Sequence, residues 1–130
     1  MATCDWALVC DYAFQDVNRK LCLIGIFDRI FAPAVPATQH QAALALKVVG
    51  EPRERVRLRL EVVRPTGEVL ARIEGGGELG EAGTAEIHLG MAGLPLPDFG
   101  IYAFNLYIGD QLARTLGVTV SQPPQATPTG

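Results

Sequence analysis

Residues 55–62, RVRLRLEV, alternate without a break: Val56, Leu58, Leu60 and Val62 are apolar, while Arg55, Arg57, Arg59 and Glu61 are charged. A period of two is the signature of an extended strand with one face toward a core and the other toward water, and no helix can satisfy it. The strand is followed by the turn signal PTGE and a second apolar stretch, VLARIE. With Pro65 to Glu68 as a four-residue loop, Arg64 falls opposite Val69, Val62 opposite Ala71 and Leu60 opposite Ile73. On the wet face Glu61 then meets Arg72, and Arg59 meets Glu74. A loop one residue shorter would set Leu60 against Arg72 and mix the faces, which a half-buried sheet resists. Because acids lie across from the arginines, the basic row reads as a solvated sheet face rather than an anion-binding patch.

The rest of the chain follows the same grammar. Helical periodicity is nearly absent, and short apolar or alternating runs recur between turn signals. Strands are expected near 6–14, 20–31, 41–49, 54–63, 69–74, 84–92, 101–108 and 111–120. Only the connection APAVPATQH, with Pro33 and Pro36, is long enough to carry the chain between sheets, and the glycine-rich GGGELGEAG reads as a flexible loop. The expected fold is all-β: a two-sheet antiparallel β-sandwich, immunoglobulin-like, of about eight strands. Residues 1–120 form its single domain, and the proline-rich 121–130 a disordered tail. In the last hairpin a two-residue Gly109-Asp110 turn sets Phe104 against Thr115, and a loop one residue longer sets it against Leu116; the pattern leaves both open.

The composition narrows the function classes. A formal net charge of −3 gives no electrostatic footprint for nucleic acid. The start MATCDWALVCDYAF lacks a basic leader and a long apolar core, and no run is long enough to span a bilayer, so a cytoplasmic location without membrane contact is expected. Cys4, Cys10 and Cys22 are odd in number and lack metal-ligand spacing, so they read as free thiols. His40 and His88 are the only histidines and Ser121 the only serine, the latter at the edge of the expected tail. No catalytic, cofactor-binding or metal-binding residues are assigned, and no cofactor is expected; the carboxylates Asp11 and Asp28 are at best a weak catalytic pair.

The second expected strand carries the most information. Setting residues 17–19 in the first turn places Phe14 opposite Cys22, Tyr12 opposite Ile24, Cys10 opposite Ile26, Leu8 opposite Asp28 and Trp6 opposite Ile30. Asp11 then falls opposite Gly25, whose missing side chain leaves the carboxylate room. Both faces are apolar: Cys22, Ile24, Ile26 and Ile30 on the one assigned to the core, and Leu21, Leu23, Phe27 and Phe31 on the other. Since a two-layer sandwich uses one face, the second needs cover from a crossing segment or another polypeptide. Leu23, Phe27, Arg29 and Phe31 are therefore the candidate interface, and Asp11 and Asp28 the candidate structural polar anchors, with Asp28 at the rim accepting hydrogen bonds.

The segments CDYAFQD, KLCLIGIFDRIFAPAVPA and LPLPDFGIYAFNLYIGDQLA resemble those of a family of small bacterial proteins known only as a domain of unknown function, over about residues 8 to 120. Phe99 stands where that family's pattern suggests a proline. The resemblance implies a β-sandwich and brings no catalytic residues. The expected function is a non-enzymatic interaction module that self-associates or docks a partner protein through the second strand. The alternative is a small-ligand binder, for a sugar or peptide, near Trp6, Tyr102 and Tyr107; an enzyme using Asp11, Asp28 and His88 ranks third.

Overall fold

The computed structural model describes residues 1–124. Of the expected tail 121–130, residues 125–130 lie outside the described residues. Nine strands follow one another: β1 (Thr3–Gln15), β2 (Leu21–Ile26), β3 (Arg29–Phe31), β4 (Ala37–Val49), β5 (Arg55–Val63), β6 (Val69–Glu78), β7 (Thr84–Leu96), β8 (Gly100–Ile108) and β9 (Gln111–Ser121). They form two sheets, in the orders β2-β1-β4-β7 and β3-β9-β8-β5-β6. Every strand pair is antiparallel except β3 with β9, which is parallel.

The core lies between the sheets. It is built from the inward alternates of both, among them Leu44, Leu46 and Val48 from the first sheet and Leu58, Leu60 and Phe104 from the second. The β5–β6 register is the expected one from Val62–Ala71 to Arg59–Glu74, and it slips by one only beside the turn, where Val63 meets Val69. Of the two expected ion pairs, Arg72 to Glu61 forms at 3.1 Å. Arg59 instead turns to Glu61 on its own strand, at 3.2 Å, and lies over the Tyr107 ring, 4.3 Å from its centroid. The cation thus exchanges a solvated cross-strand partner for an aromatic face.

Three expectations need correction. The strand drawn over 20–31 is two strands in different sheets. The Phe27 amide still donates to the Val9 carbonyl of the first sheet, while the Asp28 carbonyl already accepts from Thr119 of the second. The pairings Leu8–Asp28 and Trp6–Ile30 therefore do not form, and the β1–β2 register ends at Cys10–Ile26. The glycine run is not a loop at its start: Gly75 to Glu78 extend β6 along β5. A side chain at Gly76 would strike the Val56 carbonyl and one at Gly75 would meet Leu89 of the facing sheet at 2.8 Å, so the glycines permit this close approach. Finally, Ser121 closes β9 opposite Phe31 rather than opening a loose tail.

The last hairpin combines both of its sequence alternatives. Ile108 pairs with Gln111 across the two-residue turn, and a bulge between Leu106 and Tyr107's partners shifts the ladder, so that Phe104 faces Leu116 and Tyr102 faces Val118. The turn sets one register and the core demands the other; the bulge reconciles them. At the start of β8, Tyr102 is fully buried, and its hydroxyl accepts from the Asp98 amide and donates to the Asp98 carbonyl, both at 2.9 Å. A phenol tied to backbone four residues upstream is the tyrosine corner of immunoglobulin-type sandwiches, and with the two-sheet topology it makes this fold immunoglobulin-like. Arg64 buttresses the corner, with Nε 2.9 Å and Nη2 3.3 Å from the two Asp98 carboxylate oxygens. These bonds hold the guanidinium pKa above its ordinary value, the Asp98 hydrogen bond contributing most.

Candidate interaction surface

The sheet switch at Phe27-Asp28 decides where the candidate residues go. The inner faces of the two sheets point at each other, so a chain that crosses between them can bury residues of either parity. Phe27 and Ile30 both pack against the core, so Phe27 leaves the apparent second apolar face without any partner. Leu23 is half-buried beside Ala13. Arg29 is exposed and donates from Nη1 to the Ser121 hydroxyl at 3.1 Å, while Phe31 stays 52% exposed.

The two acids behave differently from each other. Gly25 has φ of +72°, and a Cβ built there would lie 2.9 Å from the Asp11 Cγ, so the glycine does make room for that carboxylate. Asp28 is exposed, and among the described residues no side-chain hydrogen bond reaches it; its backbone carbonyl, not its carboxylate, ties the crossover to β9. The expectation of Asp28 as a hydrogen-bonded anchor is corrected accordingly.

The apolar surface left to solvent is the face that parity had assigned to the core. A register shift between Cys4 and Trp6 changes which alternates of β1 point inward, so Ala7 and Val9 face the core. Their neighbours Tyr12 and Phe14, with Ile24 and Ile26 of β2, form a ridge on the outside of the first sheet, 47%, 44%, 53% and 60% exposed. Next to this ridge the side chains shrink. Cys10, Ala43 and Ala45 are closed off from water by their taller neighbours, and Gly90 has open space where a side chain would stand. The Cys10 thiol donates to the Ala43 carbonyl at 3.7 Å, and burial first and then the Asp11 charge push its pKa up, which makes it a poor nucleophile.

Beside the crossover, the open flank between the sheets holds a cleft of about 470 Å³ lined by Ala7, Val9, Phe27, Leu116 and Val118 among others. Arg114 bridges the flank farther along, donating to the carbonyls of Cys4 and Asp5 at 3.1 Å.

The residues of the other two readings are not brought together. Trp6 lies on the outside of the first sheet, Tyr107 on the outside of the second, and Tyr102 inside the core. Asp11 lies by Gly25, Asp28 in the crossover, and His88 on the exposed side of β7 beside Ala45. Among the described residues no group of three or more His, Cys, Asp or Glu is placed to hold a metal. Among the described residues no helix is long and apolar enough to cross a membrane.

Residues 5–121 match the model of a family of unknown function, DUF6941. The chain belongs to this family. No curated protein matches it. Among solved structures it is similar to the alkylpurine DNA glycosylase AlkC of Pseudomonas fluorescens, bound to DNA containing an abasic site analogue, at 8% identity and a TM-score of 0.57. That match covers 92% of this chain and 30% of the glycosylase chain, so the chain spans under a third of that structure's length. It is also similar to the C-terminal domain of Wzt, at 14% identity and a TM-score of 0.55, over 95% of this chain and 75% of the other. At these identities the likeness is one of fold alone, that of the two-sheet sandwich.

Proposed function

We propose that this DUF6941 member is a non-enzymatic interaction module that docks another polypeptide on the outside of its first sheet, through the β1–β2 hairpin. One observation carries the reading: Tyr12, Phe14, Ile24 and Ile26 stand together on one sheet face, each more than two-fifths exposed. On the outside of the second sheet β5 and β6 carry Arg57, Arg59, Glu61, Arg72 and Glu74, as a wet sandwich face should, and the exposed Phe31, Ile101 and Leu112 stand on its other strands. Exposing an aromatic and aliphatic cluster of this kind in water is costly and invites association, and such clusters mark interaction sites. Three free thiols, one of them buried, fit a reducing compartment such as the cytoplasm.

The test is a photo-crosslinking amino acid placed at Ile24, with Leu112 as a control that is equally exposed and lies in the other sheet. In the native host the probe at 24 is expected to give a covalent adduct with a polypeptide, lost on Tyr12→Glu, and the probe at 112 none. No polypeptide adduct from position 24, or equal adducts from both positions, would overturn the proposal.

A further inference from the structure

Resting on that reading, we infer that the polypeptide on this face is a second copy of the chain, packed sheet to sheet about a two-fold axis that runs parallel to the strands between β1 and β4. The argument is the relief of the face. Across the four strands one row reads Ile26, Cys10, Ala43, Gly90, each pair in register. It steps down from a side chain 60% exposed to a glycine whose Cβ position has nothing within 4 Å. In the next row the two edges repeat the step, Ile24 of β2 high and Ala92 of β7 low, while Tyr12 and the exposed Gln41 stand between them. Over these two rows the face is high along the β2 edge and low along the β7 edge, a step complementary to itself under one kind of rotation, and exposed His88, next on this side of β7, lies in a row that the β1–β2 ladder does not reach.

An axis parallel to the strands sets β2 of one copy over β7 of the other while keeping the rows aligned. Ile26 then fills the space over Gly90 of the second copy, and the reverse contact forms by symmetry, as an isologous interface requires. An axis across the strands would stack ridge on ridge and leave both hollows empty. Charge is compatible with the same arrangement: Lys47 and Glu86, opposite each other at one end of the face, cancel within one copy and sit at the rim.

The area fits a small, dissociable interface. Three strands about 4.8 Å apart over the eight residue steps of about 3.3 Å from Trp6 to Phe14, with β2 over the four steps from Cys10 to Phe14, give a projected footprint of roughly 440 Å² per copy. The roughly 900 Å² from two copies lies at the low end of interface sizes. Sheets stacked in this way form a four-layer assembly with apolar side chains of both copies interleaved at a spacing of about 10 Å.

The deciding variant is Gly90→Phe, because the space above Gly90 lets a single copy accept the ring without strain. Light scattering over a dilution series is expected to show wild type at twice its mass of 13.9 kDa. Gly90→Phe and Ile26→Glu should each raise the dissociation constant about 30-fold or more, with far-UV circular dichroism unchanged. In a Cys4→Ser, Cys10→Ser, Cys22→Ser background, a short bis-maleimide should join Ile26→Cys to Gly90→Cys when the two single variants are mixed, and neither variant to itself. A wild-type monomer throughout the series, a dimer indifferent to both substitutions, or an Ile26→Cys chain cross-linking to itself would each overturn the inference. If the chain is a monomer yet the probe at position 24 captures a different polypeptide, the interaction module stands and only its self-association falls.

Discussion

Tyr102→Phe isolates the two hydrogen bonds of the tyrosine corner, because the ring keeps its packing and only the hydroxyl is lost. That hydroxyl makes two bonds of 2.9 Å to the Asp98 backbone. A net worth of about 1 kcal/mol each puts the expected loss at about 2 kcal/mol. With an unfolding entropy of about 2.1 cal/mol/K per residue, a domain of this size has about 0.27 kcal/mol/K, so the melting temperature should fall by about 7 °C. Urea titration at neutral pH should show a lower midpoint with an unchanged slope. A second signature separates this role from mere packing. Burial holds the Tyr102 pKa above its ordinary value in the folded protein. The stabilisation is complete below the unfolded value of about 10 and is lost as pH rises through the folded one, since the unfolded chain then gives up its proton first. Wild type should therefore lose stability above about pH 10 more steeply than Tyr102→Phe, and the two should converge. A variant within about 0.5 kcal/mol of wild type at neutral pH, or parallel alkaline profiles, would refute the assignment.

Gly25→Ala should cost about 1–3 kcal/mol from the left-handed backbone and the collision with Asp11. Adding Asp11→Ala should recover the steric part alone, which a double-mutant cycle in urea would measure. Leu60→Ala, at a fully buried core position, should cost about 2–5 kcal/mol in the same assay. Asp28→Ala should stay within about 0.5 kcal/mol of wild type, because its carboxylate holds nothing in the fold; a larger loss in a thermal melt would show an anchoring role after all.

The sequence made the β5–β6 hairpin legible because two independent patterns, apolar and charged, chose one register. The first half of β1–β2 was legible for a similar reason: Phe14–Cys22, Tyr12–Ile24 and Cys10–Ile26 follow once the turn is placed. What parity could not reveal was which side of the hairpin is inside. That choice depends on the irregularity between Cys4 and Trp6 and on the sheet switch at Phe27-Asp28, and neither has a local sequence mark. Two apolar faces in LCLIGIFDRIF were the trace of a chain changing sheets, since Phe27 and Ile30 reach one core from opposite parities. Taken as a single strand, the run sets Ile24 and Ile26 inside and leaves the exposed cluster out of view. The descending row could have been suspected, because Ala43, Ala45, Gly90 and Ala92 are small at alternate positions, but their alignment with Ile26 requires the strand order.

The parallel pairing of β3 with β9 has a consequence for how the chain is made. Arg29 lies beside Thr119, and Arg114 reaches back 110 residues to Cys4. As the ribosome delivers the chain from its amino end, the first sheet can assemble once β7 has emerged, while Ile30 and the crossover wait for β9, which emerges after every other strand of the sandwich. Until then β8 offers an open edge, and contacts this distant in sequence form slowly. Closure of this sandwich therefore waits for its ninth strand, and the interval before it is when the nascent protein most needs shielding from other chains.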